Sequence, residues 1–130
     1  MNKTVGIVKT YYNEGKLKKE YFENDRKKEG EYKEYHKNGQ LSQICNYVDG
    51  KIEGEYERYH QNGKLCVKCN YVNGKREGEG EYTEYYGSGE LSLMYNYVRG
   101  KKEGEYKSYW SNGQLCSTYY YANGIRQNKN

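Results

Sequence analysis

Proline is absent from this chain of 130 residues, and Phe and Trp occur once each. Aliphatic side chains are scarce as well: the hydrophobic class is 34% of residues, and 19 of its members are Tyr. A closed, layered core of Leu, Ile and Val is therefore excluded, because the volume to fill it is missing. No apolar run approaches the roughly 18–20 residues of a membrane-spanning helix. The stretch Met1 to Thr10 holds Lys3 but no apolar h-region, so no signal peptide is expected and a cytoplasmic location, in a cell or an infected host, is. Charge of one sign is lacking too. The balance is 22 Lys and Arg against 18 Asp and Glu, net +4, with Lys and Glu alternating along the chain. Nucleic-acid binders concentrate their basic residues, so no nucleic-acid partner is expected. What the chain has in quantity is Tyr (19) and Gly (16), and that aromatic content argues against disorder.

These residues recur at a fixed period. The pattern Gly-Glu-Tyr-x-x-Tyr-x-x-(Asn/Ser)-Gly-x-Leu begins at Gly30, Gly54, Gly80 and Gly104. A degraded copy begins at Gly6, with Val8, Glu23 and Arg26 where the others carry Tyr, Tyr and Gly. The single domain thus divides into units 6–29 (degenerate), 30–53, 54–79, 80–103 and 104–127. One extra Gly-Glu pair, within Glu77-Gly78-Glu79-Gly80-Glu81, lengthens the third unit. Two inserted residues keep strand parity, so the faces should not invert.

Asn38-Gly39, Asn62-Gly63 and Asn112-Gly113 are two-residue hairpin signals, predicting type I′ turns with positive φ at both positions. Each unit reads as a β-hairpin, in the second unit 31–37 and 40–48. The column Gly50, Gly74, Gly100, Gly124 marks the turn to the next unit. Pairing across the Asn-Gly turn sets His36 opposite Leu41, Glu34 opposite Gln43, Tyr32 opposite Cys45 and Gly30 opposite Tyr47. In the last pair a ring would cover the bare glycine backbone. A lone hairpin is marginal in water, but stacked units support one another as nearest neighbours. The fold class expected is all-β: an open, single-layer antiparallel meander of about five stacked hairpin repeats, elongated, with ten strands.

The repeated motif, followed by Tyr-x-x-Gly-Lys and Glu-Gly, resembles the MORN (membrane occupation and recognition nexus) repeat. It is similar to the longer variant found in bacterial antitoxin-like proteins and in giant-virus proteins. The resemblance covers about residues 6–127. It implies an open β meander that serves protein or membrane association, with no catalytic domain and no cofactor.

The residues that could carry chemistry fit this reading. Cys66-x-x-Cys69, with Cys45 and Cys116, has the look of a metal site. Residues three apart on a strand point to opposite faces, so Cys66 and Cys69 cannot grip one ion. Cys45 and Cys69 lie two strands apart, beyond disulfide reach, and all four thiols are expected free, with no metal. His36 and His60 share a column with Tyr12, Tyr86 and Trp110. No nucleophile or carboxylate repeats beside both, which argues against a catalytic role. The strip of His36, His60, Tyr86 and Trp110 is the candidate surface for a protein partner. Connecting loops such as Lys27-Lys28-Glu29-Gly30-Glu31 place a basic row beside an acidic row, read as a solvated edge. Anionic-lipid binding there is the weaker expectation, since the Glu row offsets the field.

An open sheet has two exposed edges. The first unit reads as a cap, through Glu23 and Asp25-Arg26-Lys27-Lys28. At the other end Leu115, Tyr119, Tyr120 and Tyr121 form the candidate association edge, with only polar residues from Asn123 to Asn130 to cover it. A weak homodimer through that edge is expected. The function expected is a non-enzymatic interaction module or small scaffold, with an antitoxin-like protein and a lipid-surface adaptor as alternatives.

Overall fold

A computed structural model describes residues 5–76 and 79–128. Every regular element is a β-strand. The strands are β1 (Val5–Tyr11), β2 (Leu17–Asn24), β3 (Lys27–Tyr35), β4 (Leu41–Val48), β5 (Lys51–Tyr59) and β6 (Leu65–Tyr71). They continue with β7 (Glu79–Tyr85), β8 (Leu91–Val98), β9 (Lys101–Tyr109), β10 (Leu115–Ala122) and β11 (Ile125–Gln127). All pair in chain order in one antiparallel sheet. The meander expected from the repeat is therefore the fold, with eleven strands rather than ten. The additional one, β11, is built from residues expected to be loop.

The two turn columns exchange roles. At the hairpin tips Gly39, Gly63 and Gly113 have φ of +89°, +88° and +91°. Their Asn neighbours do not share the positive φ. His36 N–H donates to Gln40 O and Gly39 N–H to His36 O, at 2.8 and 2.9 Å. This is a three-residue loop, a type I turn closed by a glycine bulge, instead of type I′. Asn38 contributes its side chain instead: Oδ1 accepts from Gln40 N–H at 2.9 Å. The extra loop residue shifts the local register. Tyr35, and not His36, faces Leu41, while Glu34–Gln43, Tyr32–Cys45 and Gly30–Tyr47 pair as the sequence predicts. The two-residue turns with positive φ at both positions lie between units. There Asp49, Asn73, Arg99 and Asn123 have φ of 51°, 53°, 54° and 52°, each followed by a positive-φ glycine.

One face collects Tyr32, Cys45, Val67, Cys69 and Tyr97, the buried hydrophobic residues. This single-sided core is a tyrosine ladder. Ring centroids lie 5.5 Å apart for Tyr21–Tyr32, 4.9 Å for Tyr82–Tyr95 and 5.7 Å for Tyr95–Tyr106. Offset ring pairs of this kind add about 0.5–1.5 kcal/mol each to their area burial.

The expected cover of Gly30 by Tyr47 is absent. A Cβ at Gly30, Gly54 or Gly104 would meet no atom within 4 Å. These glycines are required by φ of +82°, +89° and +82°, where the strand bulges. Of these four equivalent glycines, Gly80 has ring cover: a Cβ there would lie 2.6 Å from the Tyr97 hydroxyl.

Gly80 follows the inserted pair. Glu77 and Gly78 lie outside the described residues. Beyond them parity is kept, with Tyr82 facing Tyr95 on the ladder side. The seam is nonetheless thin: among the described residues β6 and β7 pair through Val67–Glu84 and Lys68–Thr83, with an isolated bridge Val72–Lys75 in the turn between them. Tyr97 reaches across it, donating to Asn70 O at 2.8 Å and accepting from Asn70 N–H at 2.9 Å.

Candidate functional site

The strip of His36, His60, Tyr86 and Trp110 runs along the hairpin tips. Each ring but the last is tied to the following unit. Tyr12 Oη donates to Tyr35 O at 2.6 Å and Tyr86 Oη to Tyr109 O at 2.6 Å. His36 Nε2 lies 2.9 Å from Tyr59 O, and His60 Nε2 lies 2.8 Å from Tyr85 O. A carbonyl only accepts, so Nε2 is the donor in both histidines. The column is thus a line of staples that holds consecutive tips together and fixes its own rings. Asn38 and Asn62 add a second line, each donating to a carbonyl of the next tip, Gln61 O and Gly87 O, at 2.7 Å. Trp110 ends the strip, 57% exposed, its indole N–H without a hydrogen-bond partner among the described residues. Beside the tips lies a groove of about 530 Å³, lined by Tyr12, His36, Arg58, Tyr59, His60 and Cys66 among others.

The inter-unit loops differ from a solvated double row of charge. The second basic residue of each pair turns inward over the rings. Lys28 Nζ lies 5.1, 6.0 and 5.5 Å from the centroids of Tyr21, Tyr32 and Tyr47. Lys102 Nζ lies 5.2 Å from those of Tyr95, Tyr106 and Tyr121. Arg76 stands over Tyr82 at 5.0 Å. The acidic row is structural too. Glu29, Glu53 and Glu103 accept the backbone N–H of Asp49, Asn73 and Asn123, at 2.7, 3.0 and 2.6 Å, capping the turns between units. Parity along the strand could have revealed the inward cations, since Lys28 and Tyr32 are an even number of residues apart. The Glu caps join different strands and left no local signal.

Burial pushes tyrosine hydroxyls on both faces up in pKa. Tyr59 rises to about 12, through burial and then its hydroxyl's bond to Glu57. Tyr32 and Tyr82 are raised by burial and by Glu34 and Glu84. Burial also raises the Cys45 and Cys69 thiols. These are protonated, unreactive groups, the reverse of an activated nucleophile. The four cysteines are unpaired, Cys45 and Cys69 buried in the ladder face and Cys116 exposed.

The profile of the MORN repeat variant matches residues 4–24, 28–49, 52–73 and 102–123, more than half of the chain. The chain belongs to the MORN repeat variant family. The MORN profile passes over residues 74–101, the stretch that holds the inserted pair and β7. MORN repeats are in general interaction or lipid-binding modules rather than enzymes. No curated protein matches this MORN chain. No helix among the described residues is long and apolar enough to cross a membrane.

Both ends of the MORN sheet differ from the expected cap and edge. Glu23 lies in β2, the second strand, and Asp25-Arg26 form the turn from β2 to β3. The outermost strand is β1, which exposes Val5, Ile7 and Tyr11. At the far end β11 pairs with Tyr120, Tyr121 and Ala122. Arg126 lies 3.7 Å from the centroid of the Tyr119 ring. Leu115 remains exposed.

Proposed function

We propose that this chain is a non-enzymatic protein-binding scaffold that docks its partner along the hairpin tips. The observation that carries this reading is the row of staples. Tyr12, His36, His60 and Tyr86 each have their polar end anchored to the next unit's backbone. Their rings are consequently held in place before any partner arrives, and rigid aromatic anchors lose little conformational entropy on binding. Trp110, at the end of the row, offers the largest exposed ring.

A lipid-surface role is less well supported. Lys28, Arg76 and Lys102 are spent on the tyrosine ladder, which removes them from any membrane-facing row. The test compares the full chain with Trp110→Ala and with a His36→Ala, His60→Ala variant. A host protein retained by the parent and lost from either variant supports the reading. Salt-sensitive binding to acidic phosphatidylserine vesicles, with no protein retained, overturns it.

A further inference from the structure

The inter-unit joint is a fixed set of bonds, and each end of the sheet carries one half of it. At the C-terminal end the half is the donor side. Trp110 occupies the staple column, but no carbonyl follows it. Strand β11 pairs with only Tyr120–Ala122, so the outer edge from Leu115 to Tyr119 is unpaired among the described residues. In register, β11 is the start of a sixth hairpin: Ala122–Ile125 repeats the pairing of Val98 with Lys101. At the N-terminal end the half is the acceptor side. Tyr11 O stands where Tyr35 O, Tyr59 O, Tyr85 O and Tyr109 O take their staples. Strand β1 has no outer neighbour among the described residues, and Ile7 on it is 69% exposed.

We propose that the chain associates head to tail, the open part of β10 in one copy pairing with β1 of a second copy so that the ribbon continues across the junction. The internal joints set the register. Gln43 faces Arg58 and Cys45 faces Tyr56 between β4 and β5. The same columns set Ser117 against Thr10 of the second copy, and Tyr119 against Val8. Trp110 Nε1 then meets Tyr11 O. Strand β11 overlaps this pairing by one position: Gln127, paired with Tyr120, holds the column of the second copy's Val5, so the second copy's strand pairs from Gly6 onward.

A separate observation marks the same line. Thr10 Oγ1 is the one buried side-chain polar atom, among the described residues, without a hydrogen-bond partner. Such orphans are rare in folded proteins and call for an explanation. At the proposed junction Thr10 faces Ser117, whose Oγ lies 2.5 Å from Ser108 Oγ and has capacity for a further bond. The contact is heterologous, joining different surfaces of the two copies. Such contacts do not close into a pair, so they extend into open assemblies. This junction shares only Trp110 with the partner surface proposed above, and its failure would leave that reading intact.

The test uses two end-blocked forms of the full chain. Tyr12 N–H points toward β2, where it bonds to Lys16 O, so Ile7 N–H, five residues back, points outward. Ile7→Pro therefore blocks the β1 edge without costing an internal bond. Leu115→Lys with Trp110→Ala blocks the β10 edge. In a light-scattering concentration series the intact chain is expected to grow in mass. Each blocked form alone should stay monomeric, and an equimolar mixture should double in mass and stop there. A monomeric intact chain overturns the proposal. So does an Ile7→Pro form that dimerises alone, which would show a two-fold β10 contact, and so does a mixture that stays monomeric. Trp110 is the only tryptophan and gives a readout without any variant. Its emission should move to shorter wavelength as the intact chain is concentrated, and an unchanged spectrum counts against the junction.

Discussion

The Tyr97 hydroxyl accepts from Asn70 N–H and donates to Asn70 O, at 2.9 and 2.8 Å, so one side chain bonds both backbone groups of a residue on a strand it does not neighbour. It does so across the seam where, among the described residues, the two strands share two residue pairs. Tyr97→Phe should therefore cost about 1–3 kcal/mol, since it leaves two backbone groups without their partner. Chemical denaturation measures the loss. Hydrogen exchange should show β6 and β7 opening before the other joints in this variant. An unchanged exchange pattern would mean that the seam is held by something else.

Arg99 and Arg26 occupy turn positions with φ of 54° and 67°, where side chains other than Asn, Asp and Gly are strained. Arg99→Asn and Arg26→Gly are expected to raise stability, each by about 1 kcal/mol. Melting temperatures of the two variants and of the parent check this, and a drop in both would refute the turn assignment.

Alkaline pH should unfold the sheet through its tyrosines. Tyr59 titrates at about 12 in the fold against 10.0 when free, so the fold favours the neutral hydroxyl. Its contribution is complete below pH 10.0 and is lost as pH rises toward 12. Tyr32 and Tyr82 are shifted in the same direction. Stability should fall steeply in that window, with tyrosinate absorbance rising together with the loss of β-sheet signal. Tyrosinate formation well ahead of unfolding would show that these hydroxyls are not protected.

The staple column separates structural from exposed rings. Tyr86→Phe removes the bond to Tyr109 O and should cost about 1 kcal/mol. Trp110→Ala, at an exposed position with no bond to lose, should stay within about 0.5 kcal/mol of the parent. Equal losses in the two variants would contradict the staple reading.

Much of the architecture was legible because it depends on period. The 24-residue repeat and the alternation of Tyr along each strand define the units, the ladder face and the pairing of Tyr32 with Cys45. The turn types were misread because Asn-Gly serves two geometries. Which one forms depends on whether the loop closes over two residues or three, and that follows from the His36–Gln40 bond. Ring cover at Gly80 but not at Gly30 was equally hidden, since it follows from the altered backbone beside the insertion. The strip was visible as a column. Its tie to the next unit was not, because the partner is a backbone carbonyl with no sequence signature.

The bonds that join units are all local in one sense: His36 reaches Tyr59, Asn38 reaches Gln61 and Glu29 reaches Asp49, spans of 23, 23 and 20 residues. A gene that gains or loses one regular unit would re-form every such joint without altering another residue. Copy number is thus free to drift by unequal recombination, and the molecule can be lengthened or shortened in whole steps. The unit lengthened by two residues is the exception. Its junction depends on Tyr97, one unit further along, so a deletion that removed Tyr97 would leave a joint that its neighbours cannot mend.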